Sequence, residues 1–221
     1  MKTVSTEQLD DLLQDSQTIE EDGFGLKVAR LANGDFLKLY RRKRLLSSAL
    51  WSPPALRFAR NAENLRQLGI ATPEIEALLL IPERQLNAVR YRPLPGDTLR
   101  NHWRSLDDNS REQAVEQFGA FLGKLHLLGI YFRSLHLGNV LQLPSGELGL
   151  IDLSDMKVSN RPLASWKRRR NLQHILRYPE DAHWLLQQHR AAWMRGYTAS
   201  CGKAAAASLG RAISQITAPS S

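Results

Sequence analysis

Tyr131-Phe132-Arg133-Ser134-Leu135-His136-Leu137-Gly138-Asn139-Val140-Leu141, followed by Leu150-Ile151-Asp152, is the stretch on which the reading of this chain turns. A polar loop runs to Asn139, an apolar pair follows, and Pro144-Ser145-Gly146-Glu147 has the makeup of a hairpin turn. A hairpin of that kind delivers Asp152, at the end of its second strand, to the same edge as Asn139. An amide oxygen beside a carboxylate makes a pair of hard oxygen ligands suited to magnesium. The same two residues also suit plain turn caps, so the pair by itself leaves both readings open.

On the N-terminal side the pattern is strand-rich. Thr18–Glu21, Leu26–Leu31 and Phe36–Tyr40 read as three antiparallel strands, with the Asn33-Gly34 dipeptide as the second turn. Asp22-Gly23-Phe24-Gly25 forms the first turn. A helix follows from Ser52-Pro53-Pro54 to Gly69, carrying Leu56, Phe58, Ala59, Ala62, Leu65 and Leu68. Ile75–Ile81 and Leu86–Tyr91 add two more strands. Arg92-Pro93-Leu94-Pro95-Gly96 is a poor element interior and marks a boundary. Beyond it the chain turns helical: Ser110–Leu128 with Ala114, Phe118, Phe121, Leu122 and Leu125 inward, then Trp166–Tyr178, Asp181–Tyr197 and Lys203–Ile216. The expected organisation is a helical leader over 1–17, an N-lobe of antiparallel sheet plus one helix over 18–92, and a helical C-lobe over 93–221.

The chain has 221 residues, 43% hydrophobic and 24% charged, which is ordinary globular makeup and excludes a disordered or fibrous class. One cysteine, Cys201, excludes an internal disulfide and a Cys-x-x-Cys zinc site. Of the six histidines, His126, His174, His183 and His189 have no metal-ligand spacing. No signal-peptide layout opens the chain, and Ile75–Ile81 falls far short of a bilayer span, which predicts a cytoplasmic protein. The formal charge of +8 is uneven: residues 1–22 hold seven acids and one base, which leaves +14 for the rest. Two basic runs, Arg41-Arg42-Lys43-Arg44 and Lys167-Arg168-Arg169-Arg170, sit beside Tyr40 and Trp166. Runs of this kind suit a polyanion or an anionic surface, and equally a solvated face. Nucleic acid is not expected, because the sparse aromatics show no stacking signature.

The order of these motifs resembles the protein-kinase-like superfamily. Leu135-His136-Leu137-Gly138-Asn139-Val140-Leu141 with Ile151-Asp152 is similar, more narrowly, to the lipopolysaccharide core kinases and toluene-tolerance-type proteins. Lys38 in Phe36-Leu37-Lys38-Leu39 matches the third-strand lysine that such kinases place on nucleotide phosphates. Tyr91 to Leu99 looks like the family's hinge and its Pro-Gly continuation. The resemblance implies a minimal two-lobed α+β kinase fold with ATP and Mg2+ as cofactors. Lys38 would then meet phosphate, Gly23 and Gly25 would cover it, and Asn139 and Asp152 would hold the metal. It also implies a core sugar such as heptose as acceptor, on an anionic glycolipid or phosphorylated sugar, with peripheral contact at the inner membrane.

Two positions depart from the family's pattern. The catalytic aspartate expected between Arg133 and Asn139 is replaced by Ser134, leaving Ser134 and His136 nearest the acceptor. A hydroxyl is no proton acceptor at neutral pH, and general-base assistance is worth about 10²–10⁴-fold. The glutamate that pairs with the lysine is also displaced. Asn61 falls at its place, with Glu63 two residues on, about 200° away around the helix. A pseudokinase that binds nucleotide or glycolipid as a scaffold in envelope assembly is therefore the competing reading.

Overall fold

The computed structural model describes residues 1–41 and 52–217; Arg42-Lys43-Arg44 of the first basic run lies outside them. The chain divides into two compact units, Met1–Pro95 with Asp152–Asp155, and Gly96–Ile151 with the chain from Met156 onward.

The first unit is built on a six-stranded sheet. Its elements are β1 (Lys2–Thr3), α1 (Thr6–Leu13), β2 (Gln17–Asp22), β3 (Gly25–Arg30), β4 (Phe36–Arg41), α2 (Pro54–Gln67), β5 (Glu74–Ile81) and β6 (Leu86–Arg92). The strand order is β1-β5-β6-β4-β3-β2, antiparallel throughout except where β1 runs parallel to β5. The β3–β4 turn forms at Asn33-Gly34, where Gly34 takes φ +90° and Asp35 accepts from the Asn33 amide at 2.8 Å. Strand alternation then sorts β4. Leu37 and Leu39 enter a core with Leu9, Leu31, Ile81 and Ala88, and Lys38 between them takes the opposite face.

Residues 1–17, expected as a leader, are part of this unit. Lys2 and Thr3 pair with Leu79 and Leu80, and Leu9 of α1 is buried in the core. An eight-residue helix has little stability alone, so its apolar face needs such packing. The capping box of Ser5 and Gln8 starts it, and Arg84–Asp10 at 2.6 Å and the Thr6 N–H on Glu83 at 2.9 Å tie it down. On the other face of the sheet, α2 buries Ala55, Phe58, Asn61, Ala62 and Leu65, with Phe58 stacked on Tyr91 at 5.2 Å.

The second unit is mainly helical. It contains β7 (Asp97–Thr98), α3 (Leu99–Ser105), α4 (Asp108–Leu127), β8 (Ile130–Phe132), β9 (Val140–Gln142), β10 (Leu148–Leu150), β11 (Met156–Val158), α5 (Ser165–Ile175), α6 (Pro179–Ala182) and α7 (Arg190–Thr217). Asp107 caps α4 by accepting from the Ser110 N–H at 2.9 Å, and Gly129 (φ +73°) follows its end. Inward positions are Val115, Phe118, Leu122 and Leu125, while Ala114 and Phe121 are only half-buried. Two glycines let α4 and α7 approach closely. A Cβ on Gly119 would lie 2.2 Å from the Trp193 carbonyl oxygen, and one on Gly196 only 1.9 Å from that of Glu116. Non-helical backbone at Gly202 breaks α7 between the two helices expected there.

Candidate phosphoryl-transfer site

In the first unit, Lys38 and Asp152 meet although 114 residues separate them. Lys38 Nζ donates to Asp152 Oδ1 at 2.6 Å, and the ammonium also lies 5.9 Å from the centre of the Tyr40 ring. The lysine side chain is 7% exposed and the aspartate 37%, so the pair faces outward through its carboxylate. Asp152 Oδ2 takes no hydrogen bond among the described residues. Asp152 also holds φ +56°, a left-handed conformation uncommon outside glycine and best tolerated by Asn and Asp. Backbone of this kind persists where surrounding structure imposes it, and it concentrates at functional sites.

That surrounding structure comes from α2. Asn61, buried on its inner face, donates to the Leu153 carbonyl at 2.6 Å. Arg57 Nε donates to the Ser154 carbonyl at 3.0 Å. Both hold the segment immediately after Asp152. Glu63, the other sequence candidate for Lys38, points outward to Arg66 and to Gln67 (2.8 Å). The helix therefore acts on Lys38 through the backbone beyond Asp152 rather than through a carboxylate of its own.

Gly23 and Gly25 form a tight turn between β2 and β3. The Phe24 N–H at its tip donates to Asp22 Oδ1 at 2.9 Å, and the Phe24 ring is 78% exposed. This donor is used within the turn itself.

Ser134, His136 and Asn139 lie together in the second unit. Asn139 is buried and donates from Nδ2 to the Ser134 carbonyl at 3.0 Å. This closes the loop on itself and leaves the amide oxygen as the atom with acceptor capacity. The Ile151 N–H donates to the Asn139 carbonyl at 3.1 Å, fixing the strand that leads into Asp152. His136 Nδ1 accepts from the Gly138 N–H at 3.0 Å, which places the proton of the neutral ring on Nε2. Its ring packs on Tyr178, with centroids 4.7 Å apart.

Two residues to which the sequence assigns no site role anchor this loop. Asp181 is wholly buried and takes Arg100 Nε and one Nη at 2.8 Å each. Its Oδ2 also accepts the Leu137 N–H at 3.2 Å. The Arg100 guanidinium stacks 4.3 Å from the Tyr178 ring centre. Bidentate pairing and ring stacking together fix both position and orientation. No local signal marks Asp181, because its partners lie 81 and 44 residues away.

Behind the loop, His126 is fully buried with Nδ1 2.9 Å from the Tyr197 hydroxyl. Burial, with the Arg168 charge adding to it, pushes its pKa down to about 3. Arg168 donates to that same hydroxyl at 3.0 Å. Burial also lifts the Tyr197 and Tyr91 phenols above their usual range. Among the described residues no cluster of three His, Cys, Asp or Glu side chains is placed to hold a metal ion, and no helix is long and apolar enough to cross a membrane.

A strand-rich N-terminal sheet followed by a helical C-terminal unit, with a buried strand lysine on an aspartate that follows a hairpin, defines a kinase-like two-lobed α+β fold. Residues 97–197 match the lipopolysaccharide kinase (Kdo/WaaP) family, the family that the hairpin motif resembles. The match includes Arg100, Ser134, His136, Asn139, Asp152 and Asp181. No curated protein matches the chain. A kinase-like family of this kind implies ATP and a divalent metal in general terms.

Proposed function

We propose that the protein transfers the γ-phosphoryl group of ATP to a hydroxyl of a lipopolysaccharide core sugar. The observation that carries this reading is the Lys38–Asp152 pair at 2.6 Å, with the free carboxylate oxygen turned outward. Phosphoryl transfer has a loose transition state, so catalysis rests on positioning and on neutralising charge. Lys38 would exchange Asp152 for nucleotide phosphate as a point charge. Asp152 Oδ2 in the first unit and, in the second, the Asn139 amide oxygen are each proposed as a hard oxygen donor for a divalent ion. When bound, that ion would neutralise phosphate charge. Gly23 and Gly25 remain the turn proposed over the nucleotide, with Phe24 as its exposed cover. Ser134 and His136 are proposed beside the acceptor. Lacking a carboxylate base at Ser134, the reaction is expected to be slow.

The pseudokinase reading is favoured by one feature, Ser134 at the position of the expected aspartate. Incubation of the full chain with labelled ATP, Mg2+ and purified core glycolipid separates the two. The enzyme reading expects labelled glycolipid that disappears with Asp152→Asn, and a faster rate with Ser134→Asp. Nucleotide binding with no labelled product under any acceptor would favour the scaffold.

A further inference from the structure

The second basic run is not used by the site. Met156 to Pro179 holds seven Lys and Arg residues and no Asp or Glu. The outer face of α5 carries Trp166, Arg169 and Arg170 at spacing i, i+3, i+4, which puts them side by side. All three are exposed, and Trp166 is 63% exposed despite being the largest apolar side chain available. Lys167, one position round, lies 5.6 Å from the Trp166 ring centre and 5.8 Å from that of Tyr131. The Tyr131 and Trp166 rings are 6.4 Å apart. Strand pairing sets Lys157 opposite Tyr131. One surface therefore joins the exposed Trp166 ring to Lys157, Lys167, Arg169 and Arg170, with the buried Tyr131 ring beside it.

Some surface cations are neutralised and others, such as Arg30, Arg60, Arg190, Lys203 and Arg211, are not, but only the α5 cluster gathers several beside an exposed indole among the described residues. Arg66, Arg84, Arg92, Arg104 and Arg195 each pair with a carboxylate. Arg168, inside the run, is spent on the Leu163 carbonyl and Tyr197 hydroxyl. Lys157, Lys167, Arg169 and Arg170 have no acidic partner among the described residues. A row of unneutralised cations around an exposed indole has the composition of a bilayer-interface anchor, with the ring at headgroup depth and the charges on anionic lipid.

We infer that the Trp166–Arg170 face docks the protein on an anionic lipid bilayer. The inference deepens the proposed function by naming what would hold the enzyme beside a membrane-borne acceptor. It is read out with no nucleotide present, so its failure leaves the nucleotide binding of Lys38 and Asp152 untouched.

Co-sedimentation of the full chain with vesicles tests it. Binding is expected to phosphatidylcholine vesicles containing phosphatidylglycerol and not to phosphatidylcholine alone, and it weakens as salt rises. Arg169→Gln with Arg170→Gln lowers partitioning by more than about tenfold, given roughly 1 kcal/mol per cation near such a surface. Trp166→Ala lowers it further, and Trp166→Phe removes a blue shift of fluorescence on vesicle addition. Arg92→Gln with Arg195→Gln, which removes acid-paired cations, leaves partitioning unchanged. Equal partitioning of all variants would overturn the inference. So would duplex DNA capturing the chain in a way that needs Arg169 and Arg170 but ignores Trp166.

Discussion

Arg100–Asp181 in the second unit and Lys38–Asp152 in the first are ion pairs with a buried member, and the two are built differently. Arg100–Asp181 is bidentate, its aspartate is wholly buried, and a third donor, the Leu137 N–H, completes it. Lys38–Asp152 is a single contact whose aspartate is about a third exposed and sits on left-handed backbone. The first has no spare capacity and fixes a loop. The second keeps a carboxylate oxygen with no hydrogen bond among the described residues and, on the proposed function, a lysine that exchanges partners. Position and reactivity are thus divided between two pairs with the same formal charges.

The difference predicts unequal costs for removing the two aspartates. Asp181→Ala strands a mostly buried guanidinium and should cost about 3–5 kcal/mol in chemical denaturation. Asp152→Ala should cost less, about 1–2 kcal/mol, because the half-open site lets water reach Lys38. Lys38→Met placed on that background should recover most of the loss. Equal costs for the two aspartates would break the contrast between a structural pair and an exchangeable one.

A pH effect of intermediate size sharpens the same contrast within the second unit. His126 is held neutral, with its pKa lowered to about 3. The unfolded chain therefore binds a proton that the folded chain refuses between pH 6.5 and 3. Stability should be fully present above pH 6.5 and fall by about 1.4 kcal/mol per pH unit through that window. His126→Gln should flatten this slope in denaturation curves taken at several pH values. The smallest effect is expected at Glu63. Its contacts are to exposed Arg66 and Gln67, so Glu63→Gln should change stability by less than about 0.5 kcal/mol and leave nucleotide binding intact.

Much of the first unit was legible because its signals are local. Alternating Leu37, Lys38 and Leu39 gives the strand and the side each residue faces, and Asn33-Gly34 gives the turn. The helix from Pro54 to Gly69 is marked by its punctuation. Its register on Lys38 was not legible. Asn61 and Glu63 both looked like partners for Lys38, and the answer depended on the carbonyl of Leu153, which carries no sequence signal. The residues 1–17 looked separable because an acidic, short helix gives no hint that Leu9 completes a core. Asp181 stayed hidden for a related reason: an aspartate after Pro179-Glu180 reads as an ordinary first-turn acid. Its role arises only when folding brings Arg100 and Leu137 to it.

The central claim is that Lys38 and Asp152 form an exchangeable pair that receives metal-bound nucleotide. The most direct test is the melting temperature of the full chain titrated with Mg-ATP. A rise that grows with ligand concentration is expected for the parent, and Asp152→Ala should abolish it while Asp152→Ala still folds. No rise at millimolar Mg-ATP, or the same rise with Asp152→Ala, would contradict the account.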